Sequence, residues 1–114
     1  MHDRLANVTN IRRADRQDVL YVGRANKSWN LPASKWANPD RNARDKPVEQ
    51  ARAEFRAHIL SKPKLIVALP ELRGQILACW CCTCAGLCDG SCPCHANWLV
   101  EMLEEQTVKV NNAP

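Results

Sequence analysis

Apolar residues recur along this chain in short clusters parted by polar, proline- and asparagine-bearing stretches, and their periods separate strands from helices. Residues 8–11 and 19–22 are brief runs rich in β-branched and apolar side chains. They predict two short strands, joined through the polar residues 12–18 in a hairpin-like connection. Gly23 closes the second run. Residues 24–47 carry Asn26, Asn30, Pro32, Asn38, Pro39, Asn42 and Pro47 and predict a long irregular segment. A segment of that length inside a small domain signals either function or disorder. Trp29 and Trp36 argue for order, because their large apolar area has to be covered.

From residue 48 to 61 the period becomes helical. Val48, Ala51, Phe55 and Ile59 fall on one side, with Glu49, Arg52, Glu54 and Arg56 outside. Asp45 and Pro47 supply start chemistry, and Pro63 follows the end. His58 borders the apolar stripe and reads as a packing residue in preference to a catalytic one. Residues 64–69 predict a second, short helix between Pro63 and Pro70. Arg73-Gly74 turns the chain into a buried strand over 75–81, with Trp80 in the core. A last helix follows at 96–106, with Leu99, Met102, Leu103 and Gln106 along one side. Residues 107–110 predict an added strand and 111–114 a frayed end.

This order predicts a small α/β protein, one domain over 1–114. Its mixed sheet has three to four strands, with two to three helices and a Cys-rich metal-binding loop at 79–95. The helical crossover makes the second and third strands parallel. Gly23-Arg24 and Cys79 to Cys81 then share the carboxyl edge of the sheet, where ligand sites of open α/β sheets concentrate. The last helix starts at the same edge and aims its first N–H groups into that space.

No run of eighteen apolar residues occurs, which argues against a membrane span. The first residues lack the apolar stretch of a secretory signal, so a cytoplasmic setting with reduced thiols is expected. Residues 1–73 hold 15 of the 16 basic side chains against 8 of the 12 acidic ones, whereas 74–114 are net acidic. A basic front two-thirds suits a phosphate-bearing partner as well as it suits a solvated surface.

All seven cysteines lie between Cys79 and Cys94: Cys79, Cys81, Cys82, Cys84, Cys88, Cys92 and Cys94, with His95 next. Thiolate and imidazole donors at such spacings are what tetrahedral zinc requires. Gly86 and Gly90 let the loop fold tightly enough to converge them. Eight donors fill either one site with spares or two sites. An iron–sulfur cluster would use the same thiolates and is the alternative cofactor. Cys94 at a helix start and Cys81 at a strand end are candidate nucleophiles instead of ligands.

Five pieces in order resemble a known family: Tyr21-Val22-Gly23-Arg24, Ser34-Lys35-Trp36-Ala37-Asn38-Pro39, Pro70-Glu71-Leu72-Arg73-Gly74, Leu77-Ala78-Cys79-Trp80-Cys81, and Cys94-His95 leading into a helix. Over residues 8–105 the chain is similar to the domain-of-unknown-function family 4326, small proteins common in bacteriophages and bacteria. The resemblance implies no established activity, but it singles out Gly23, Arg24, Ser34, Trp36, Asn38, Pro39, Arg73, Gly74, Cys79, Trp80, Cys81, Cys94 and His95. A phage-encoded copy would work in the host cytoplasm. Ala37 stands where the family has glycine, and Ala96-Asn97 where it has Gly-Asp. The stretch 82–92 is longer and richer in cysteine than usual, which favours an enlarged metal site.

The leading functional expectation is a zinc-stabilised domain with a basic pocket for a nucleotide or nucleic-acid phosphate. Arg24, Ser34, Lys35, Trp36, Asn38 and Arg73 are its candidate contacts. Trp36 either stacks on a ligand ring or pins the long segment, with pinning preferred. The pocket either binds only or works as an enzyme whose metal activates water. The H-x-E and P-C-x-x-C deaminase signature is missing. The competing expectations are a phage protein that docks on a host protein through the metal loop, and thiol chemistry through Cys81 and Cys94.

Overall fold

The structure, a computed structural model, describes residues 4–13, 18–40, 42–80, 87–88, 90 and 92–111. A short, buried apolar run takes the centre of the sheet. Strand β3 (Ile76–Cys79) lies between β1 (Asn7–Asn10) and β2 (Leu20–Tyr21), in the order β1-β3-β2. Asn7 pairs with Ile76 and Asn10 with Cys79 on one side, and Leu20 with Leu77 and Tyr21 with Ala78 on the other. Leu77, Ala78 and Cys79 are fully buried, so both faces of β3 are covered as well as both edges.

The sheet is therefore α/β as expected, with three strands among the described residues, but it is parallel throughout and not mixed. The hairpin expected between the first two strands does not form, because β3 inserts between them. A β1–β2 hairpin would leave the apolar β3 at an edge with unpaired backbone groups. The parallel pairing expected for β2 and β3 is present.

Helix α1 (Val48–Leu60) buries Ala51, Phe55 and Ile59, the stripe read from the sequence. Pro63 opens α2 (Pro63–Ala68), where its missing N–H costs nothing. Pro70 does not stop the chain's coiling. It sits in the first turn of a 3-10 turn, Leu69–Leu72, that continues α2. Helix α3 (His95–Asn111) packs against α1 and the sheet. It runs through 107–110, where a strand was expected. The local β preference of Thr107, Val108 and Val110 yields because extending a docked helix gains one hydrogen bond per residue fixed.

The long segment after β2 is ordered, as its tryptophans required. Trp36 is 2% exposed. Asn26 and Leu31 exchange backbone hydrogen bonds of 2.8 and 2.9 Å, and Asn30 turns the chain with φ 54°. Lys46 ties the segment to α1 by bridging Asp40 at 2.6 Å and Glu54 at 2.7 Å. His58 is half-buried beside Phe55, a packing position. No helix among the described residues is long and apolar enough to cross a membrane.

Phe55 joins the helices to the edge where the strands end. Its ring is 1% exposed, 5.4 Å from the His95 ring and 5.9 Å from that of Trp98. Phe55→Ala is expected to cost about 3–5 kcal/mol in a chemical denaturation experiment. Leu60→Ala, on the exposed side of the same helix, should change stability by less than about 0.5 kcal/mol. Equal effects of the two would contradict this packing.

Candidate functional site

Parallel strands end together, and here their ends frame a cleft of about 840 Å³. Tyr21, Gly23, Arg24 and Asn26 line it from the end of β2, Trp80 from the end of β3, and His95 and Trp98 from the start of α3. Asn38 closes it from the long segment. A second hollow of about 500 Å³ adjoins it, lined by Arg12, Asn26, Ser28, Trp29 and Trp80.

Tyr21 organises the first cleft. Its hydroxyl donates to the Arg24 carbonyl at 2.5 Å and accepts from Trp80 Nε1 at 2.7 Å. Gly23 is required by close approach, since a Cβ there would run into that hydroxyl. Arg24 donates from Nε to the Asn38 carbonyl at 3.0 Å and from Nη2 to the Asp40 carbonyl at 2.7 Å. Both acceptors are neutral. The nearby Asp40 carboxylate is engaged by Lys46, whose hydrogen bond, with that of the Asn42 amide, holds its pKa below the usual range. Arg24 thus carries its charge on the cleft wall. His95 is 8% exposed, and its Nε2 lies 2.6 Å from the Val22 carbonyl. A carbonyl only accepts, so Nε2 holds the proton, and in the neutral ring Nδ1 is the basic nitrogen.

Among the described residues the thiols form two pairs, Cys79 with Cys94 and Cys88 with Cys92. Cys79, the last residue of β3, and Cys94, just before α3, place their sulfurs 2.7 Å apart, both buried. Cys88 stands apart, fixed by its amide on the Val8 carbonyl at 2.6 Å. Its sulfur accepts from Gly90 N at 3.4 Å and from Asn97 Nδ2 at 3.5 Å. Burial pushes the Cys88 thiol up. The Asn97 amide, the backbone N–H groups of Cys92 and Gly90, and the Cys92 side chain together outweigh that and bring it down to about 6. Asn97 also donates to the Cys92 carbonyl at 2.9 Å and accepts from Arg4 at 3.1 Å.

The sequence pattern described as a domain of unknown function (DUF4326) matches residues 7–105, most of the chain. The chain belongs to the DUF4326 family. An uncharacterised protein of Acanthamoeba polyphaga mimivirus is 34% identical to it over 64 residues, 54% of this chain. The chain spans about half of that relative, 48% of its length. No solved structure matches.

The DUF4326 domain gathers some of the residues singled out by sequence and separates others. Arg24 and Asn38 meet at the cleft. Ser34 serves the turn, with its amide on the Gly23 carbonyl at 3.0 Å and its hydroxyl accepting from Trp36 N at 3.1 Å. Lys35 pairs with Glu71 at 2.8 Å and lies over the Trp36 ring, away from the cleft lining. Trp36 is in the core and pins the segment instead of stacking on a ligand. Arg73 precedes β3, and its neighbour Gly74 donates to the Leu5 carbonyl at 2.7 Å, ahead of β1. That is the amino edge of the sheet, opposite Arg24. Trp80 is half-buried on the cleft wall and not in the core.

Cys94, a candidate nucleophile, is buried against Cys79, while Cys81, Cys82 and Cys84 lie outside the described residues. Two sulfurs on one tetrahedral zinc stand about 3.8 Å apart. The Cys79–Cys94 pair is tighter than that, and no group of three or more metal-ligating side chains converges among the described residues. Pattern reading missed Tyr21, Trp98 and Arg4. Each looks like an ordinary strand, helix or surface residue in one dimension.

The Cys88 network makes a pH prediction. The thiol ionises more readily in the folded chain than in the unfolded one. Its ionisation therefore favours the fold fully above about 8.5, and that contribution is lost as pH falls through about 6. In reduced, chelator-treated protein, ultraviolet thiolate absorbance should rise by one equivalent near pH 6. The step should vanish in Cys88→Ser and move upward in Asn97→Ala. A first thiolate appearing only above about 8 would show that these donors do not stabilise it.

Proposed function

We propose that this DUF4326 domain binds a nucleotide, or the phosphate-bearing end of a nucleic acid, in the cleft at the carboxyl edge of its sheet. One observation carries the proposal: a guanidinium, two indoles, a phenol, an imidazole and two carboxamides line a single space of about 840 Å³. That volume lies in the range of small-molecule sites, roughly 300–1,000 Å³. Trp80, half-buried, offers apolar ring surface to a planar base, and the nearly buried Trp98 adds to the apolar lining. Arg24 offers a fork of donors to phosphate oxygens. Asn26 and Asn38 each carry a donor and an acceptor suited to a base edge or a sugar. The excess of basic residues in the first two-thirds of the chain supports an anionic ligand.

The proposal extends to the cysteine-rich segment, whose soft donors suit zinc, which would stiffen the wall beside His95. Of the described thiols, Cys88 and Cys92 are the ones that would contribute, since Cys79 and Cys94 lie closer together than two sulfurs sharing one zinc.

Titration with nucleoside monophosphates, followed by quenching of tryptophan fluorescence, tests the cleft. Saturable quenching is expected. Arg24→Ala should weaken a monophosphate by about tenfold or more, as loss of a charged hydrogen bond costs about 1.5–3 kcal/mol. The matching nucleoside, lacking phosphate, should lose much less. No saturable quenching at millimolar nucleotide would overturn the proposal. Elemental analysis of protein purified under reducing conditions without chelator should find at least one zinc per chain. Its absence would remove the metal from the proposal and leave the cleft.

A further inference from the structure

We propose that the cleft accepts two consecutive units of a single-stranded nucleic acid, with Trp80 as the wall between two subsites, so that the 500 Å³ hollow is the seat of the second nucleotide. This rests on the nucleotide reading of the larger cleft and names its substrate class.

The two hollows are parts of one groove, since both are lined by Asn26 and Trp80. The groove follows the carboxyl edge of the sheet, from Gly23 and Arg24 after β2, past Trp80 after β3, to Arg12 after β1. Each side of Trp80 has its own arginine. Arg24 lines the larger space, and the Arg12 guanidinium lies 5.2 Å from the Trp80 ring centroid in the smaller one. Trp29 adds a second indole there, edge-on to Trp80 at 5.1 Å and 86°. A polynucleotide repeats one planar base and one negative charge per unit. Two cells, each with an indole surface and a guanidinium, repeat in the same way.

Hydrogen bonds hold the smaller cell in shape. Asn10 bridges two of its walls, donating from Nδ2 to the Trp80 carbonyl at 3.3 Å and accepting from Arg12 N at 2.8 Å. Asn26 Oδ1 accepts from Trp29 N at 3.3 Å, which fixes the third wall. Ser28 adds a hydroxyl to the lining. A mononucleotide would use one cell and one cation. A strand of two units would use both, and stacking on indoles would make it tolerant of base sequence.

The test uses the full chain as purified and 5′-phosphorylated thymidine oligomers of one, two and four units, in DNA and RNA form. Dissociation constants are measured over a series of salt concentrations. The two-unit oligomer should bind at least tenfold more tightly than the monomer, and four units should add little more. The plot of log affinity against log salt should steepen by about 0.7 for the additional phosphate. Arg12→Ala should lower affinity for the two-unit oligomer far more than for the monomer, and Arg12→Lys should keep most of the salt slope. Equal affinity for one and two units would overturn the second subsite and leave the nucleotide cleft standing. Equal loss for both lengths in Arg12→Ala would also overturn it, marking Arg12 as a brace for Trp80. Failure of every length to bind would overturn both proposals together.

Discussion

The pairing of β3 on both of its edges by parallel neighbours is the constraint from which the rest of the structure follows. A strand whose residues Leu77, Ala78 and Cys79 are fully buried cannot leave its amides and carbonyls unpaired without a large penalty. Once both partners run parallel to it, the chain must return to the same end before each strand, and all three strands finish on one side. Arg12, Arg24 and Trp80 are far apart in sequence, yet each follows a strand and so reaches the same edge. The cleft is therefore a consequence of strand direction, with Gly23 leaving room for the Tyr21 hydroxyl.

The helical part of this arrangement was legible from period alone. Phe55 and Ile59 sit where the apolar stripe placed them, and the β2–β3 pairing followed from the crossover between them. Strand order was not legible, because alternation identifies a strand without naming its neighbour. A polar stretch between two apolar runs fits a hairpin as well as it fits two strands that are not neighbours. Arg73 shows a different kind of failure. As an arginine beside a glycine it resembles Gly23-Arg24, but it enters a strand where Arg24 leaves one. Direction, not residue type, put the two on opposite edges. Trp80 was misplaced by a single position, since it follows the last paired residue of β3 and turns from core to cleft wall.

Asn97 is the polar side chain that organises the thiol region under the start of α3. Its amide donates to the Cys88 sulfur and to the Cys92 carbonyl, and its oxygen accepts from Arg4. A carboxylate would keep the Arg4 contact, lose both donations and set a negative charge beside an ionisable thiol. The carboxamide therefore supplies a donor to the Cys88 sulfur, where a carboxylate would be another acceptor.

Charge follows the same spatial logic. The three glutamates of α3 are engaged: Glu101 with Arg52 at 2.8 Å, Glu105 with Arg56 at 2.5 Å, and Glu104 with the Leu5 amide at 3.1 Å. The two partly exposed ion pairs each add about 1 kcal/mol or less to stability, and all three glutamates lie in the middle turns of α3. The first turn of α3 carries no acidic residue and presents His95 to the cleft. Arg24 rests on carbonyls and Arg12 over an indole, so neither charge is cancelled by the partner that positions it. On the reading proposed above, an anion at the carboxyl edge would meet Arg24 already held by two hydrogen bonds, so that little side-chain freedom would be lost in binding.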